Sequence, residues 1–309
     1  MEIALKVDVD THRGLGEGVP RLMAMMAAKD VTATFFIAMG PDNSGLAVMR
    51  AFKNPGFLAK MRRTRAVSMY GLRTVLSGTL LPARPIALAF PQVLRDLARA
   101  DFETGVHGYD HVRWQDHLDK LGAAGTSAEI DDGFEVYRAV FGVDSRNFAA
   151  PGWRTSRYAV AALGRKGVAY HSDTRGCSPY RSSIDGTVMD VPEIPTTLPT
   201  LDEVIGTREV PDSAAVIRYY AEHLNDRALN VHTVHAETEG MGELATFAAI
   251  IDAWRERGAS FVQLGEVAAR LAHEELPICE VIRTTLPGRA GWVSAQGAAK
   301  AGRSGHARL

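Results

Sequence analysis

The sequence predicts an α/β protein built on a parallel sheet, with closure into a barrel favoured over an open doubly wound sheet. Three observations point there. Short apolar runs alternate with amphipathic helical patterns along most of the chain, the order expected of strand–helix–strand units. Polar residues able to do chemistry recur where several of those runs end, the side on which the loops of such a barrel gather. The chain also has 309 residues, 46% of them hydrophobic, enough for one large core.

In chain order, the first strand is Ile3 to Val9 and ends in Asp8 and Asp10. A helix from Gly18 to Lys29 leads to a strand at Thr32 to Met39. A helix over Gln92 to Ala100 leads to the strand Glu103 to Val106, with His107 at its end. Helix Ala128 to Phe141 precedes the strand Phe148 to Ala150. Helix Ser156 to Lys166 precedes Val168 to His171, with Asp173 just beyond. Helix Ser213 to Leu224 precedes Leu229 to Val234, which His235 terminates. Helix Glu243 to Arg257, strand Ser260 to Leu264 and helix Gly265 to Glu274 complete the pattern. The spacing predicts one domain over residues 1–275, with an insertion over about 43–95 and a C-terminal extension over 276–309. From about residue 289 the composition is rich in Gly, Ala, Ser and basic residues without apolar periodicity, which predicts a poorly ordered tail.

The formal net charge is −1, which points to no nucleic acid partner. Its distribution is uneven. No acidic residue lies between Asp42 and Asp96, while Arg50, Lys53, Lys60, Arg62, Arg63, Arg65, Arg73, Arg84 and Arg95 all do. Those nine charges leave the rest of the chain at −10. Apolar residues such as Phe52, Phe57, Leu58, Met61, Tyr70 and Leu76 interleave with them, as in a segment lying on an anionic membrane surface. An ordinary insertion with solvated bases is the competing reading, and the absence of any acid favours docking through Arg62, Arg63 and Arg65. No cationic leader with an apolar core precedes Ile3, and no apolar run is long enough to span a bilayer. Cytoplasmic residence, peripheral to the inner face of the inner membrane, is the expectation. Cys177 and Cys279 fit no metal or redox spacing and are read as buried thiols.

In Val7-Asp8-Val9-Asp10 the carboxylates are two residues apart, so both face one side of a strand, away from Val7 and Val9. Alone, the pair fits a solvated strand end or turn better than a site. His107-Gly108-Tyr109-Asp110-His111 carries two imidazoles four residues apart, which one turn of helix would place on one face. Alone, it fits capping and packing too. Together they point to a divalent metal held by Asp10, His107 and His111, with positions left open for water or substrate. The ligand types suit Zn, Mn, Co, Ni or Fe(II) alike.

With Phe148-Ala149-Ala150-Pro151-Gly152-Trp153-Arg154 and Val231-His232-Thr233-Val234-His235, these motifs resemble the NodB-homology polysaccharide deacetylase family in spacing and order from Ile3 to about Leu271. The resemblance implies a distorted, incomplete (β/α) barrel and metal-dependent amide hydrolysis. It implies that Asp8 is the base, that Asp10, His107 and His111 are ligands, and that His235 is the acid protonating the departing amine. His232 is left to packing. Asp173 is then expected to orient His235, and Arg154 to stand in, beside Asp8, for the family's usual Arg, in whose place Ala149 or Ala150 stands. Gly108 stands where the family usually has Ser or Thr.

Further motifs, among them Gly40-Pro41-Asp42-Asn43, Ser172-Asp173-Thr174-Arg175-Gly176, Thr197 to Gly206 and His235-Ala236-Glu237-Thr238-Glu239-Gly240, resemble one branch of that family. Its members remove a formyl group from 4-deoxy-4-formamido-L-arabinose linked to undecaprenyl phosphate. The branch implies a polyprenyl-phosphate-linked sugar substrate, a role in lipid A modification and resistance to polymyxin and cationic peptides. Trp153, Glu237 and Asn43 are expected to contact the sugar. A deacetylase of N-acetylated glycans and a noncatalytic sugar-lipid binding module are the alternatives, and the presence of both Asp8 and His235 disfavours the second.

Overall fold

The structure is a computed structural model that describes residues 1–51, 74, 76–289 and 291–300. Arg62, Arg63 and Arg65, expected to face a membrane, lie outside the described residues. The strands are β1 (Glu2–Val9), β2 (Thr34–Ile37), β3 (Pro41–Asp42), β4 (Arg84–Pro85), β5 (Glu103–Val106), β6 (Asn147–Phe148), β7 (Tyr170–His171), β8 (Arg181–Ile184), β9 (Thr187–Val188), β10 (Asn230–His235), β11 (Ser260–Val262), β12 (Ile278–Thr284) and β13 (Val293–Ala299).

The main sheet is parallel, in the order β10-β1-β2-β5-β6-β7, with β11 added beside the start of β1. Its strands match the runs read from the sequence, and the helices between them match the amphipathic patterns, except that the helix expected from Ala128 begins at His111 and runs to Phe141. Strand β1 lies at the centre and is buried on both faces beyond Glu2, as parallel strands under helices are. Ile3, Leu5, Val7 and Val9 pack into the main hydrophobic core, each buried side chain contributing roughly 1.5–3 kcal/mol. The alternate row, Ala4, Lys6, Asp8 and Asp10, points to the other face, so one strand carries both the core and the chemistry.

No regular strand pairs β7 with β10 among the described residues. The irregular segment 192–198 bridges them: Ile194 N–H donates to the His171 carbonyl, and the amides of Thr197 and Leu198 donate to that of Val231. This is the distorted, incomplete (β/α) barrel that the resemblance implies. Among the described residues no helix is long and apolar enough to cross a membrane.

Two expectations need correction. The predicted tail from about residue 289 contains β13, which pairs antiparallel with β12 in a four-stranded sheet, β13-β12-β8-β9. Its Gly- and Ser-rich composition hid an edge strand whose amides are satisfied by neighbours: Arg175 N–H donates to the Ser294 carbonyl and Gln296 N–H to that of Arg175. Cys279 is buried as expected, but Cys177 is exposed, at the turn after Arg175 rather than in the core.

Candidate active site and metal centre

Asp10, His107 and His111 converge as the sequence predicts. His107 Nε2 lies 3.3 Å from Asp10 Oδ1, and His111 Nε2 lies 3.5 Å from Asp10 Oδ2. The two imidazoles do not share a helical turn, however. His107 follows β5, Gly108 to Asp110 form a loop, and His111 is the first residue of the helix His111–Phe141. Asp110 caps that helix by accepting from Arg113 N–H at 2.9 Å. The loop turns at Gly108, whose φ of +73° suits glycine, and an added Cβ would sit 3.1 Å from Pro151 Cγ. This backbone conformation favours glycine at the turn.

The donor set fits a divalent ion. His107 Nδ1 lies 2.8 Å from the Ala149 carbonyl, so Nδ1 carries the proton and Nε2 turns its lone pair toward Asp10. Asp10 Oδ1 is buried and accepts no hydrogen bond among the described residues. Burial acts to raise the Asp10 carboxyl, but His111 and His107 hold it well below the usual carboxylate range. Burial pushes the His111 ring down to about 4, which keeps it neutral as a ligand must be. A divalent ion bound there supplies Lewis-acid polarisation of an amide carbonyl and acidification of water.

Asp8 and His235 are register partners on the adjacent strands β1 and β10, so base and acid candidates come from one pair of strand ends. Asp8 lies beside the metal ligands, its Oδ2 3.8 Å from His107 Nε2. The cation next to it is Lys6, not Arg154. Lys6 is fully buried, with Nζ 3.6 Å from Asp8 Oδ2 and donating to the Ser172 carbonyl at 3.0 Å. Its signal was present in the sequence, because Lys6 shares the alternate row with Asp8 and Asp10 on β1. Arg154 instead donates Nε to the Trp292 carbonyl at 3.2 Å, donates Nη1 to the Gln115 carbonyl and lies 4.7 Å from the Trp292 ring. It ties the β12–β13 loop to the body of the barrel.

Asp173 does not serve His235. It is fully buried, accepting from Ala150 N–H at 2.9 Å and pairing with His171 Nδ1 at 3.0 Å. Glu193 lies 2.8 Å from the same nitrogen. Burial disfavours the charge on His171, yet Glu193 and Asp173 raise it to about 10. The carboxylate facing His235 is Asp202, with Oδ1 3.9 Å from Nδ1. Its position in Thr200-Leu201-Asp202 carries no local motif pointing to His235. Glu239 holds the end of β10 by accepting from His235 N–H at 3.0 Å.

The three residues expected to contact sugar have structural partners instead. Glu237 is buried, and its Oε1 accepts from Asp10 N–H, Thr11 N–H and the Thr11 hydroxyl at 3.0, 2.9 and 2.8 Å. Burial and the Asp10 charge push its carboxyl up to about 8. It braces the loop that carries Asp10, the candidate metal carboxylate. Asn43 donates to Asp110 Oδ2 at 2.7 Å, steadying the start of the helix that bears His111. Trp153 is 2% exposed, donates to Thr196 Oγ1 at 2.9 Å and meets His235 edge-on at 6.2 Å between centroids. Its φ is +52°, costly for an aromatic residue. His232 packs among Tyr220, Phe247 and Trp254 in the core, as expected from alternation along β10.

A family model described as polysaccharide deacetylase matches residues 2–171. The chain belongs to the polysaccharide deacetylase family. Two relatives of this deacetylase-family chain resemble it over almost their whole length. One, from Shewanella sediminis, is 35% identical over 300 residues, covering 96% of this chain and 94% of its own. The other, from Wigglesworthia glossinidia brevipalpis, is 32% identical over 285 residues, covering 90% of this chain and 96% of its own. Each is named a probable 4-deoxy-4-formamido-L-arabinose-phosphoundecaprenol deformylase. Among solved structures, a Mycobacterium smegmatis protein assigned as a polysaccharide deacetylase shares the fold. Its TM-score is 0.64 at 18% identity, over 92% of this chain and 94% of that one. Puue allantoinase follows with a TM-score of 0.60 at 15% identity, over 87% and 90% of the two chains.

Proposed function

We propose that the protein is a metal-dependent amidohydrolase that removes the formyl group from 4-deoxy-4-formamido-L-arabinose linked to undecaprenyl phosphate. In this role it serves the aminoarabinose modification of lipid A and resistance to polymyxin and cationic peptides. The observation that carries the chemistry is the register pairing of Asp8 with His235 beside the Asp10, His107 and His111 cluster. The names of relatives similar over nine-tenths or more of the chain support the substrate.

In this reading Asp8 takes the proton of the attacking water, and His235 gives one to the departing amine. Asp202 lies 3.9 Å from Nδ1 of His235 and places a negative charge beside the ring. Lys6 offsets the charge of Asp8, and Glu237 holds the Asp10 backbone in place. The basic insertion, with Arg62, Arg63 and Arg65, is the part proposed to rest on an anionic membrane where a polyprenyl-linked substrate resides.

The test is a comparison of two substrates, a formamido-arabinosyl prenyl phosphate and an N-acetylated oligosaccharide, before and after chelation. Formate release from the first, lost on chelation and regained with a divalent metal, is the expected result. Turnover confined to the oligosaccharide would assign the protein to glycan deacetylation instead.

A further inference from the structure

Arg289 lies in the loop joining β12 to β13, and two features press that loop against the catalytic end of the barrel. Gly288 has a φ of +76°, and a Cβ there would sit 2.4 Å from the Glu203 carbonyl, so the backbone packs directly on the turn Leu201–Val204 that carries Asp202. Arg154 holds Trp292 on the other side. The Arg289 guanidinium consequently lies 4.4 Å from the centroid of the Trp153 ring, whose edge meets His235. Arg175 lies 5.0 Å from the same ring.

The two arginines are used differently. Arg175 donates to both oxygens of Glu203 at 2.9 and 3.1 Å and to the Leu198 carbonyl. Thr200 N–H adds a further donor to Glu203. Arg289 approaches that already paired carboxylate only to 3.7 Å, beyond hydrogen-bond distance. Its side chain is 10% exposed, and its guanidinium makes no hydrogen bond among the described residues. A guanidinium carries five donors in a planar fork that matches phosphate oxygens in pairs. Held in the site with its donors unpaired among the described residues, such a group is available to a ligand that offers paired oxygens. Burial accordingly pulls the Arg289 pKa below its ordinary value.

We infer that Arg289 recognises the phosphate of the substrate, anchoring a glycosyl phosphate one aromatic ring away from His235. The inference rests on the proposed sugar-lipid reading. It deepens that reading by assigning phosphate recognition to the C-terminal hairpin, outside residues 2–171 matched by the family model. In a pyranose the C1 phosphate and the C4 amide lie across the ring from each other. A cation one aromatic ring from His235 can meet the phosphate end of such a sugar while its C4 amide faces the strand ends.

The test titrates metal-loaded full-length protein and its Arg289→Gln variant with geranyl phosphate, and in a second arm with inorganic phosphate. Geranyl phosphate is expected to bind the variant at least tenfold more weakly. Competition by inorganic phosphate at millimolar concentration would mark the phosphate itself as the recognised group, free or lipid-borne. Arg289→Lys keeps the charge without the fork, should recover part of the affinity, and gives a second reading if the glutamine variant fails to fold. Equal affinity in wild type and Arg289→Gln overturns the proposal.

In turnover, Arg289→Gln should raise KM for the formamido-arabinosyl prenyl phosphate at least tenfold. Its kcat/KM on a phosphate-free alkyl formamido-arabinoside should stay within twofold of wild type. Equal losses on both substrates would make Arg289 a packing residue and overturn the proposal. A wild-type protein that hydrolyses neither compound fails the deformylase reading, while the titration still decides Arg289.

Discussion

Asp8 Oδ1 is buried and accepts no hydrogen bond among the described residues, an arrangement that stability alone does not favour. Its neighbours, Lys6 and His107, both approach the other oxygen, Oδ2, and Lys6 compensates the charge. If Asp8 is the base, Asp8→Asn should lower kcat by about 10²- to 10⁴-fold. Elemental analysis should find its metal content unchanged; full activity in the variant would remove Asp8 from the mechanism. His171 presents the complementary case, a buried cation between Asp173 and Glu193. Replacing it by Gln leaves two facing carboxylates and should destabilise the fold by about 3–5 kcal/mol in urea unfolding. The pH dependence has a definite sign. The folded state raises His171 from 6.5 to about 10, so its contribution is complete below pH 6.5 and declines as pH rises toward 10. Wild type should show that decline, and His171→Gln should lack it. Asp8, Asp10, His107 and His235 were legible from spacing because strand alternation fixes which side chains share a face. Asp202 was not, because its approach to His235 is set by the path of the irregular segment after β9, where no periodicity operates.

At the level of elements, the His107 and His111 pair shows how one spacing serves two geometries. A separation of four suits a helical turn, yet here a strand end, a loop and a helix start deliver the same convergence, with ring centroids 5.3 Å apart. The loop depends on Gly108. Gly108→Ala should cost about 1–2 kcal/mol from the left-handed backbone alone. It should also weaken metal binding, measured by competition with a chelator, because the two imidazoles shift relative to each other. Undiminished affinity would show that the loop tolerates a Cβ without moving its ligands. The hairpin β12–β13 makes the opposite point about legibility. In β13, Val293 is followed by Ser294-Ala295-Gln296-Gly297-Ala298-Ala299, which has no apolar stripe to announce a strand, and its order comes from hydrogen bonds to Arg175 and packing around Trp292. Arg154 belongs to that packing, which is why its proximity to Pro151 in sequence did not place it beside Asp8.

Across the whole molecule, the parallel sheet gathers strand ends from β1, β5 and β10 into one site while the helices bury the opposite row of each strand. The acid-free basic insertion is the part proposed to meet the membrane. Sedimentation with liposomes should carry the protein into the pellet when anionic lipid is present and leave it in the supernatant with neutral lipid alone. Raised salt should reverse the binding, since screening shortens the reach of surface charge. Equal recovery from both lipids would exclude electrostatic docking.

The sequence by itself determined the parallel α/β architecture and placed Asp8, Asp10, His107, His111 and His235 at or just beyond strand ends. Those features follow from local rules: alternation along strands, the amphipathic period of helices, and the chemistry of residue types at strand ends. Only the tertiary structure decided which charges stand beside them. Lys6 rather than Arg154 faces Asp8, Asp202 rather than Asp173 faces His235, and Glu237 braces the Asp10 loop. These pairings join residues whose distance is set by chain crossings and hairpin docking, which no local pattern encodes.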